Sequence, residues 1–279
     1  MNVIADRDYE FICRQVYERS RIHLGANKKE MVSARLSRRL HQLGLEDCHA
    51  YCRLLKSEDG KEELAHLVDL IATNYTNFFR ETEHFKFLIQ TVVRDWKTER
   101  RLKGGECFRV WSSAASTGEE AYSIAILLAE AFADELSVRW KVEASDISSR
   151  VIEKARLAVY SGERMQLVRE ERVRRHFQYG VGNWEGFYRV RPELRAQVHF
   201  HELNLLQDRY PFERGFHVIF CRNVMIYFDH DTQEQLVTRL SEQLLPGGYL
   251  FVGHSETLTG IRHPLKVVLP SIYRKPLSP

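Results

Sequence analysis

Residues able to bind a ligand follow a short apolar strand candidate in this 279-residue chain. Phe216–Phe220 is β-branched and aromatic, as expected of a strand buried on both faces of a parallel sheet. The run ends at Cys221, Arg222 and Asn223 without a glycine or proline turn, and a phenol follows at Tyr227. Because open α/β sheets bind ligands at the carboxyl ends of their strands, we predict a ligand site here.

A loop of small residues, Ser112–Gly118, lies between another predicted strand and a predicted helix. Small side chains let a ligand approach the backbone and the helix N-terminus. The loop has one glycine and no lysine, so it matches neither a dinucleotide fingerprint nor a phosphate-binding P-loop. Glu119 and Glu120 in the first helical turn favour a cationic ligand, although ordinary stabilisation of the helix N-terminus explains them equally well.

Two further segments have the composition of ligand contacts. Asp146 ends a predicted strand, where a carboxylate can accept both hydroxyls of a ribose or can cap the next helix. Polar and aromatic residues are interleaved over Asn74–Arg80, which ends in a cation. The alternative there is a helix cap with two core phenylalanines, and the residues alone leave both alternatives open.

The elements that must position these residues fall into two classes. Residues up to about Tyr75 show helical spacing, and Asp95–Gly105 is predicted to be a charged linker. Beyond it strands alternate with helices, which predicts an α/β fold with a mostly parallel sheet. Residues 178–199 break the alternation and predict a small antiparallel insert. The predicted strands are Cys107–Trp111, Trp140–Ala144, Val198–Leu205, Phe216–Cys221 and Tyr249–Gly253, and the predicted helices are Glu119–Leu136, Ser149–Tyr160 and Thr232–Leu245.

Composition excludes several classes of protein. Hydrophobic residues make up 44% of the chain and charged residues 28%, which suffices for a sizeable core. With no apolar run of roughly 18 residues and no signal peptide, we expect a cytoplasmic protein without direct membrane insertion. The five cysteines lack zinc-site spacing, so no metal is expected. A net charge of +3 predicts no nucleic-acid partner.

Positive charge is concentrated near the N-terminus. Lys28, Arg35 and Arg39 share a side of one predicted helix, and Arg38 lies close by. These residues form either a solvated face or an electrostatic guide toward an acidic partner.

Several segments, in this order along the chain, closely resemble the chemotaxis receptor methyltransferases of the CheR family. They are Asn-x-Thr-x-Phe-Phe-Arg-Glu at Asn74–Glu81, Ser-Thr-Gly-Glu-Glu at Ser116–Glu120, Asn-Leu-Leu at Asn204–Leu206, Cys-Arg-Asn-Val-Met-Ile-Tyr-Phe-Asp at Cys221–Asp229, and Pro-Gly-Gly-Tyr-Leu-Phe-x-Gly-His-Ser-Glu at Pro246–Glu256. The resemblance implies a protein-glutamate O-methyltransferase. Such an enzyme transfers a methyl group from S-adenosylmethionine to glutamate side chains of chemoreceptor signalling domains, releasing S-adenosylhomocysteine.

The resemblance also assigns roles to residues. The catalytic pair falls on Arg80 and Tyr227. Cofactor contacts fall on Asn74, Thr76, Arg80, an acid of the Glu119 and Glu120 pair (Glu120 preferred), Asp146, Asn204, Leu205, Asn223 and Val224. Receptor contacts fall on Lys28, Arg35, Arg38 and Arg39, and on Gly180 and Gly182, whose turn resembles the members that bind a receptor C-terminal pentapeptide as an added strand. The loop departs from the family at Ala114 and Ala115, where many members have Gly-Cys, and at Ala121, where proline is common.

The implied organisation is a helical receptor-recognition domain over 1–75 and a connecting helix and linker over 76–105. A Rossmann-like class I methyltransferase domain follows over 106–279, with a β-subdomain inserted at 178–199. We expect a monomer. Two other functions fit parts of the sequence. A regulatory adaptor that binds S-adenosylmethionine without turnover is disfavoured by the intact Arg80 and Tyr227. A dehydrogenase is disfavoured by the missing dinucleotide glycines.

Overall fold

The computed structural model describes residues 4–58, 60–72, 74–103, 107–135, 137–212 and 215–277. These residues form two compact units. The helical unit comprises the described residues before Asn74 together with Ile226–Gln233, and the α/β unit comprises the other described residues. Each unit buries an apolar core of its own. Within the described ranges, no helix combines the length and apolarity needed to cross a bilayer.

The helical unit is built from amphipathic helices that bury one face each. Val32 and Leu36, which have the spacing of one helix face, are fully buried with Ile12 and Val16. Gly44 ends its helix in the left-handed region at φ 65°, which glycine adopts without steric cost. The helices are α1 (Asp6–Ser20), α2 (Lys29–Leu43), α3 (Cys48–Lys56) and α4 (Gly60–Ile71), with a 3₁₀ turn at Ala26–Lys28.

The α/β unit contains the predicted alternation of strands and helices. Its strands are β1 (Phe108–Ser112), β2 (Trp140–Asp146), β3 (Val159–Ser161), β4 (Phe177–Tyr179), β5 (Phe187–Val190), β6 (Val198–Glu202), β7 (Phe216–Cys221), β8 (Leu244–Val252), β9 (Lys266–Leu269) and β10 (Ile272–Arg274). Its helices are α5 (Thr82–Phe87), continued by a π-helix at Leu88–Val93, then α6 (Arg94–Lys103), α7 (Glu119–Ala131), α8 (Ser149–Leu157), α9 (Glu170–His176) and α10 (Pro192–Arg195). The last helix of the chain, α11, spans His230–Gln243, and further 3₁₀ turns lie at Gly162–Met165, Gly182–Trp184 and Met225–Tyr227.

The main sheet has seven strands in the order β6-β2-β1-β7-β8-β10-β9. The first five of these are parallel, and β10 runs antiparallel to both β8 and β9. The order reverses at β1, so the carboxyl ends of β1 and β7 border the crevice where doubly wound sheets bind ligands. The predicted α/β fold is confirmed.

A second, antiparallel sheet has the order β3-β5-β4 and confirms the predicted small β-structure. It starts well before residue 178, because the predicted helix Ser149–Tyr160 stops at Leu157. Ala158 then turns the chain at φ 56°, and β3 begins at the next residue. Strands of three residues show too little alternation to be recognised from sequence.

Several other element ends differ from the prediction, and the strand predicted to begin at Tyr249 begins at Leu244. The predicted linker from Asp95 is helix α6 through Lys103, because Trp96 packs edge-on against Phe108 and Phe132. The predicted strand Val198–Leu205 ends at Glu202. The predicted helix Glu119–Leu136 ends at Ala131, and both Leu136 and Gly105 lie outside the described residues.

Candidate functional site

The predicted ligand residues of the α/β unit gather at the carboxyl ends of the parallel strands. The loop Ser112–Gly118 follows β1, Asp146 ends β2, and Asn223 follows β7. Asn204 follows β6, where the Leu203 amide donates to the Asp146 carbonyl at 2.8 Å. The segments predicted from the sequence motifs therefore lie side by side at one edge of the sheet.

Asp146 holds the loop after β1 in place. Its Oδ2 accepts the Ser116 amide at 2.9 Å, and its Oδ1 accepts the Ser148 amide at 3.1 Å. Ser148, not Asp146, is the cap of α8. Ser116 lies at φ 49°, a left-handed conformation that costs energy for a residue with a side chain, and this carboxylate contact helps to maintain it.

Gly118 closes the same loop at φ 93°. A Cβ there would lie 3.0 Å from both the Ala155 Cβ and the Tyr160 hydroxyl, so the position requires glycine for space as well as for conformation. Ala115, one of the positions where the loop departs from the resembled family, is buried, and its amide donates to the Ser145 carbonyl at 2.8 Å.

The two first-turn carboxylates of α7 have different surroundings. Glu119 is buried, accepts the Thr117 hydroxyl at 2.6 Å and lies 3.5 Å from the Arg164 guanidinium. Glu120 accepts the Ser112 hydroxyl at 2.7 Å and the Arg222 guanidinium at 2.9 Å. Burial raises the pKa of both carboxyls above the ordinary range despite these donors. Acceptors of this kind suit a ligand that carries positive charge.

Arg222 connects several of these segments. Its guanidinium bonds to Glu120 and to Glu81, each at 2.9 Å, and donates to the Arg80 carbonyl at 2.6 Å. Burial alone would raise the pKa of Glu81, but the Arg222 charge overrides burial and lowers it. The sequence pattern marked Arg222 only by its place after a buried strand, and neither Arg222 nor Glu81 was predicted as a site residue.

Glu256 fixes the chain beyond β7. Its carboxylate accepts the backbone amides of Asn223 at 2.7 Å, Met225 at 2.8 Å and Gly253 at 2.6 Å. Asn223 sits at φ 58°, and its side-chain amide lies 3.4 Å from Glu81. Val224 is half-buried between Asn223 and Met225. Glu256 ends the segment Pro246–Glu256, one of those that carry the family resemblance, but it was not predicted as a site residue.

The segment Asn74–Arg80 is a loop packed against the loop after β1. The Asn74 carbonyl accepts the Ser116 hydroxyl at 3.0 Å, and the buried Thr76 offers its carbonyl to Arg164 at 2.6 Å. The Arg80 guanidinium donates to the Tyr75 carbonyl at 3.2 Å. Phe78 and Phe79 do lie in the core, so the packing alternative accounts for the aromatic residues but not for the polar ones.

Asn204 and Leu205 form a turn after β6. The Asn204 side chain accepts the Leu206 amide at 2.9 Å, and the Leu205 carbonyl accepts the Tyr210 hydroxyl at 2.6 Å while its side chain is buried. These contacts fix the backbone of the segment.

Glu81, His84 and His254 place three potential metal ligands within 4.8 Å of one another. Burial, with Arg222 adding to it, lowers the pKa of His84 to about 3, so that ring is neutral at physiological pH. The Glu81 carboxylate is already engaged by Arg222 and by the His254 amide at 3.2 Å. This cluster is therefore explained as part of the Arg222 contacts.

The predicted receptor contacts near the N-terminus divide into two pairs within the helical unit. The Arg35 guanidinium donates to the Ile71 carbonyl at 2.7 Å and so caps the end of α4. Arg39 binds the buried Glu63 through two hydrogen bonds, of 3.0 and 2.6 Å. Lys28 and Arg38 are exposed. Stabilising contacts thus engage Arg35 and Arg39.

In the small sheet, the predicted glycines build a tight turn. A Cβ on Gly180 would lie 2.0 Å from the Trp184 carbonyl oxygen, and Gly182 has φ 60°. The turn borders a cavity of about 740 Å³ that also contacts Thr117 and Glu119. Several apolar side chains around it are exposed, namely Tyr179, Val181, Trp184 and Phe187.

Comparison with known proteins decides the family. The model of the SAM binding domain of CheR methyltransferase matches residues 74–273, and the model of its all-alpha domain matches residues 7–72. The chain belongs to the CheR methyltransferase family. It is 43% identical over 258 residues to the chemotaxis protein methyltransferase of Salmonella typhimurium, covering 92% of this chain and 86% of the relative. It is 35% identical over 279 residues to that of Borreliella burgdorferi, covering 99% of this chain and 96% of the relative.

Family membership confirms the predicted enzyme class. The chain is an S-adenosylmethionine-dependent methyltransferase of chemotaxis, with an all-helical N-terminal domain and a SAM-binding domain built on a mostly parallel sheet. S-adenosylmethionine is its cofactor, and the two carboxylates in the first turn of α7, the buried Glu119 and the half-buried Glu120, have the charge that suits a cationic molecule.

Proposed function

We propose that the protein methylates glutamate side chains of a chemoreceptor signalling domain, using the residues gathered at the strand ends. The observation that carries the proposal is the convergence of Asn74 and Asp146 on Ser116, beside α7, where Arg164 contacts both the Thr76 carbonyl and Glu119. We assign cofactor contacts to Asn74, Thr76, Arg80, Glu120, Asp146, Asn204, Leu205, Asn223 and Val224. Glu119, which lines the neighbouring cavity, is the alternative acid to Glu120.

S-adenosylmethionine supplies an electrophilic methyl group on a sulfonium. A glutamate carboxylate is ionised at neutral pH, because its ordinary pKa is about 4.3, so the chain needs no general base. Opposite charges neutralise as the methyl group transfers, and a dry site therefore favours the transition state over the charged reactants. The work of the side chains is to align the carboxylate with the methyl group at about 3–3.5 Å.

Arg80 and Tyr227 are the proposed catalytic residues. A tight ion pair between Arg80 and the substrate would stabilise the charged ground state more than the transition state. Arg80 instead keeps a hydrogen bond to the Tyr75 carbonyl and holds the reactants near the methyl group. The Tyr227 hydroxyl orients the nucleophile with one neutral hydrogen bond, and Asn223 offers both donor and acceptor to the cofactor.

The test uses methyl-labelled S-adenosylmethionine and receptor cytoplasmic fragments. We expect base-labile label on receptor glutamates, a loss of about 10²-fold or more in kcat for Arg80→Ala and Tyr227→Phe, and normal unfolding transitions for both variants. Cofactor binding without label would contradict the substrate assignment and favour the adaptor. Wild-type rates in both variants would contradict the catalytic roles.

Docking on the receptor is the second part of the proposal. Because Arg35 and Arg39 are engaged in stabilising contacts, the exposed Lys28 and Arg38 are the residues we assign to electrostatic guidance. The double change Lys28→Glu and Arg38→Glu should raise the Michaelis constant for receptor and weaken its dependence on salt. Arg53→Glu with Lys61→Glu makes the same charge change at exposed positions elsewhere in the unit, and an equal effect there would reject a specific site.

A receptor C-terminal pentapeptide is the ligand we assign to the small sheet, whose edge strands can accept an added strand. Gly180→Ala should abolish binding of a receptor tail peptide in calorimetry, since its Cβ would collide with Trp184. Gly162→Ala is the matched control, because its nearest atom beyond the chain neighbours lies 3.6 Å away. No heat from the wild-type protein would reject this ligand.

A further inference from the structure

The segment that contains Tyr227 is part of the helical unit and is bound there by α1 and the residues just after it. The Tyr227 carbonyl accepts the His23 amide at 2.8 Å, just beyond α1. Two residues later, Asp229 Oδ2 accepts the Tyr17 hydroxyl of α1 at 2.5 Å. The turn after Tyr227 is therefore attached to the end of α1 by one backbone contact and one side-chain contact.

Asp229 also organises the turn itself. Its Oδ1 accepts the Thr232 amide at 2.9 Å, in the manner of a helix cap at the start of α11, and its carbonyl accepts the Gln233 amide at 2.9 Å. The Gln233 side chain donates back to the Phe228 carbonyl at 3.1 Å. Because Asp229 has a separate oxygen for each role, loss of the Tyr17 contact leaves the cap intact.

Tyr17 is itself fixed. The Arg21 guanidinium lies 5.1 Å from the centre of its ring, and the ring is half-buried. The hydrogen bond from Tyr17 is the largest of several contacts that lower the pKa of Asp229, so the acceptor is a carboxylate at neutral pH. A charged acceptor gives this hydrogen bond more strength than a neutral pair would have.

On the proposed function above, we infer that Tyr17 is a positioning residue for methyl transfer, acting through Asp229 on the turn that presents Tyr227. A catalytic group displaced by about 1 Å can lose on the order of 10²-fold in rate, so one hydrogen bond to its turn is a meaningful constraint.

The decisive variant is Tyr17→Phe, and the matched control is Tyr9→Phe. Both tyrosines lie on α1, and the Tyr9 hydroxyl donates to the Gly25 carbonyl at 2.8 Å, away from the 226–233 segment. We expect similar small shifts in Tm for both variants. Tyr17→Phe alone should lower kcat by about tenfold, with unchanged KM for receptor and unchanged affinity for S-adenosylmethionine. Equal kcat values for the two variants would overturn the inference.

The double variant Tyr17→Phe with Tyr227→Phe tests whether the effect passes through Tyr227. In the Tyr227→Phe background, the Tyr17 change should cause little further loss of kcat, because the group that it positions is already absent. A full additional tenfold loss would overturn the positioning role and leave the catalytic role of Tyr227 intact. A wild-type rate for Tyr227→Phe alone would instead reject the catalytic assignment, and this inference with it.

Discussion

Each of the two units contains an arginine–carboxylate cluster with one buried member, Glu63 or Arg222, but the clusters differ in charge. In the helical unit, Arg39 binds Glu63, which also accepts the Tyr51 hydroxyl at 2.7 Å. In the α/β unit, Arg222 binds two carboxylates, Glu81 and Glu120. When ionised, the first cluster is balanced, whereas these three side chains of the second carry one positive and two negative charges.

We propose that this difference separates a structural ion pair from a ligand site. Burial would raise the pKa of Glu63, yet Arg39 and Tyr51 lower it, so the folded helical unit stabilises the charged form. Burial raises the pKa of Glu120 in spite of Arg222, so the folded α/β unit disfavours its charge. A buried charge without full compensation is tolerated where function requires it. The excess carboxylate beside the loop after β1 suits a cationic cofactor.

The largest expected effect comes from Arg222→Met. Its side chain is 2% exposed, and its loss leaves two carboxylates without their shared cation. We expect the free energy of unfolding in denaturant to fall by about 3–5 kcal/mol, with loss of cofactor binding. Arg262→Met is the control, because that side chain is 92% exposed in its pair with Glu234 and should cost about 1 kcal/mol or less. Similar costs for both variants would show that Arg222 acts as a surface charge.

Removing the charge of the balanced cluster should affect stability alone. Glu63→Gln weakens the bonds to Arg39 and Tyr51, and we expect a cost of about 1–3 kcal/mol in denaturant unfolding. Affinity for S-adenosylmethionine and kcat of the folded protein should match the wild type. A loss of cofactor affinity in this variant would erase the distinction between the two clusters.

Much of the fold could be predicted from local patterns. The helical spacing before Tyr75 and the strand Phe216–Cys221 were predicted correctly, because the period of apolar residues follows directly from which faces are buried. The strand β3 and the helix α6 were missed. The three residues of β3 are too few to show an alternation of apolar and polar side chains. Helix α6 is stabilised by the packing of Trp96 on Phe108, a tertiary contact that cannot be predicted from the high charge content of the segment.

The site was predictable only in part. Strand ends and a small-residue loop pointed to a ligand near Ser112–Gly118 and Asn223. Family resemblance was needed to connect Asn74–Arg80 with that edge, since the hydrogen bond from Ser116 to Asn74 joins segments 42 residues apart. The roles of Arg222 and Glu256 depend on long-range partners and could not be predicted from local sequence.

Glu120→Gln should produce the opposite pattern to Glu63→Gln. The amide removes the excess charge, so we expect an unfolding free energy at pH 7 equal to or slightly above that of the wild type. Affinity for S-adenosylmethionine should fall by about tenfold or more, because a hydrogen bond to a charged group contributes about 1.5–3 kcal/mol. Glu119→Gln is the matched control in the same helical turn. Loss of affinity in Glu119→Gln instead would move the cofactor contact to Glu119.

The smallest effect is a difference in pH dependence between the two clusters. The folded pKa of Glu63 lies below its ordinary value of 4.5, so its charge contributes stability above about pH 4.5 that is lost as pH falls through the folded pKa. The difference in unfolding free energy between wild type and Glu63→Gln should therefore shrink on acidification.

The folded pKa of Glu120 lies above 4.5, so the protonated carboxyl contributes stability below that pH, and this stability is lost as pH rises. Relative to Glu120→Gln, the wild type should lose stability as pH rises from about 4.5, the reverse of the Glu63 comparison. The measurement is urea unfolding at fixed ionic strength over a range of pH. If the stability difference between wild type and Glu63→Gln and that between wild type and Glu120→Gln changed with pH in the same direction, the assignment of one cluster to structure and the other to ligand binding would be contradicted.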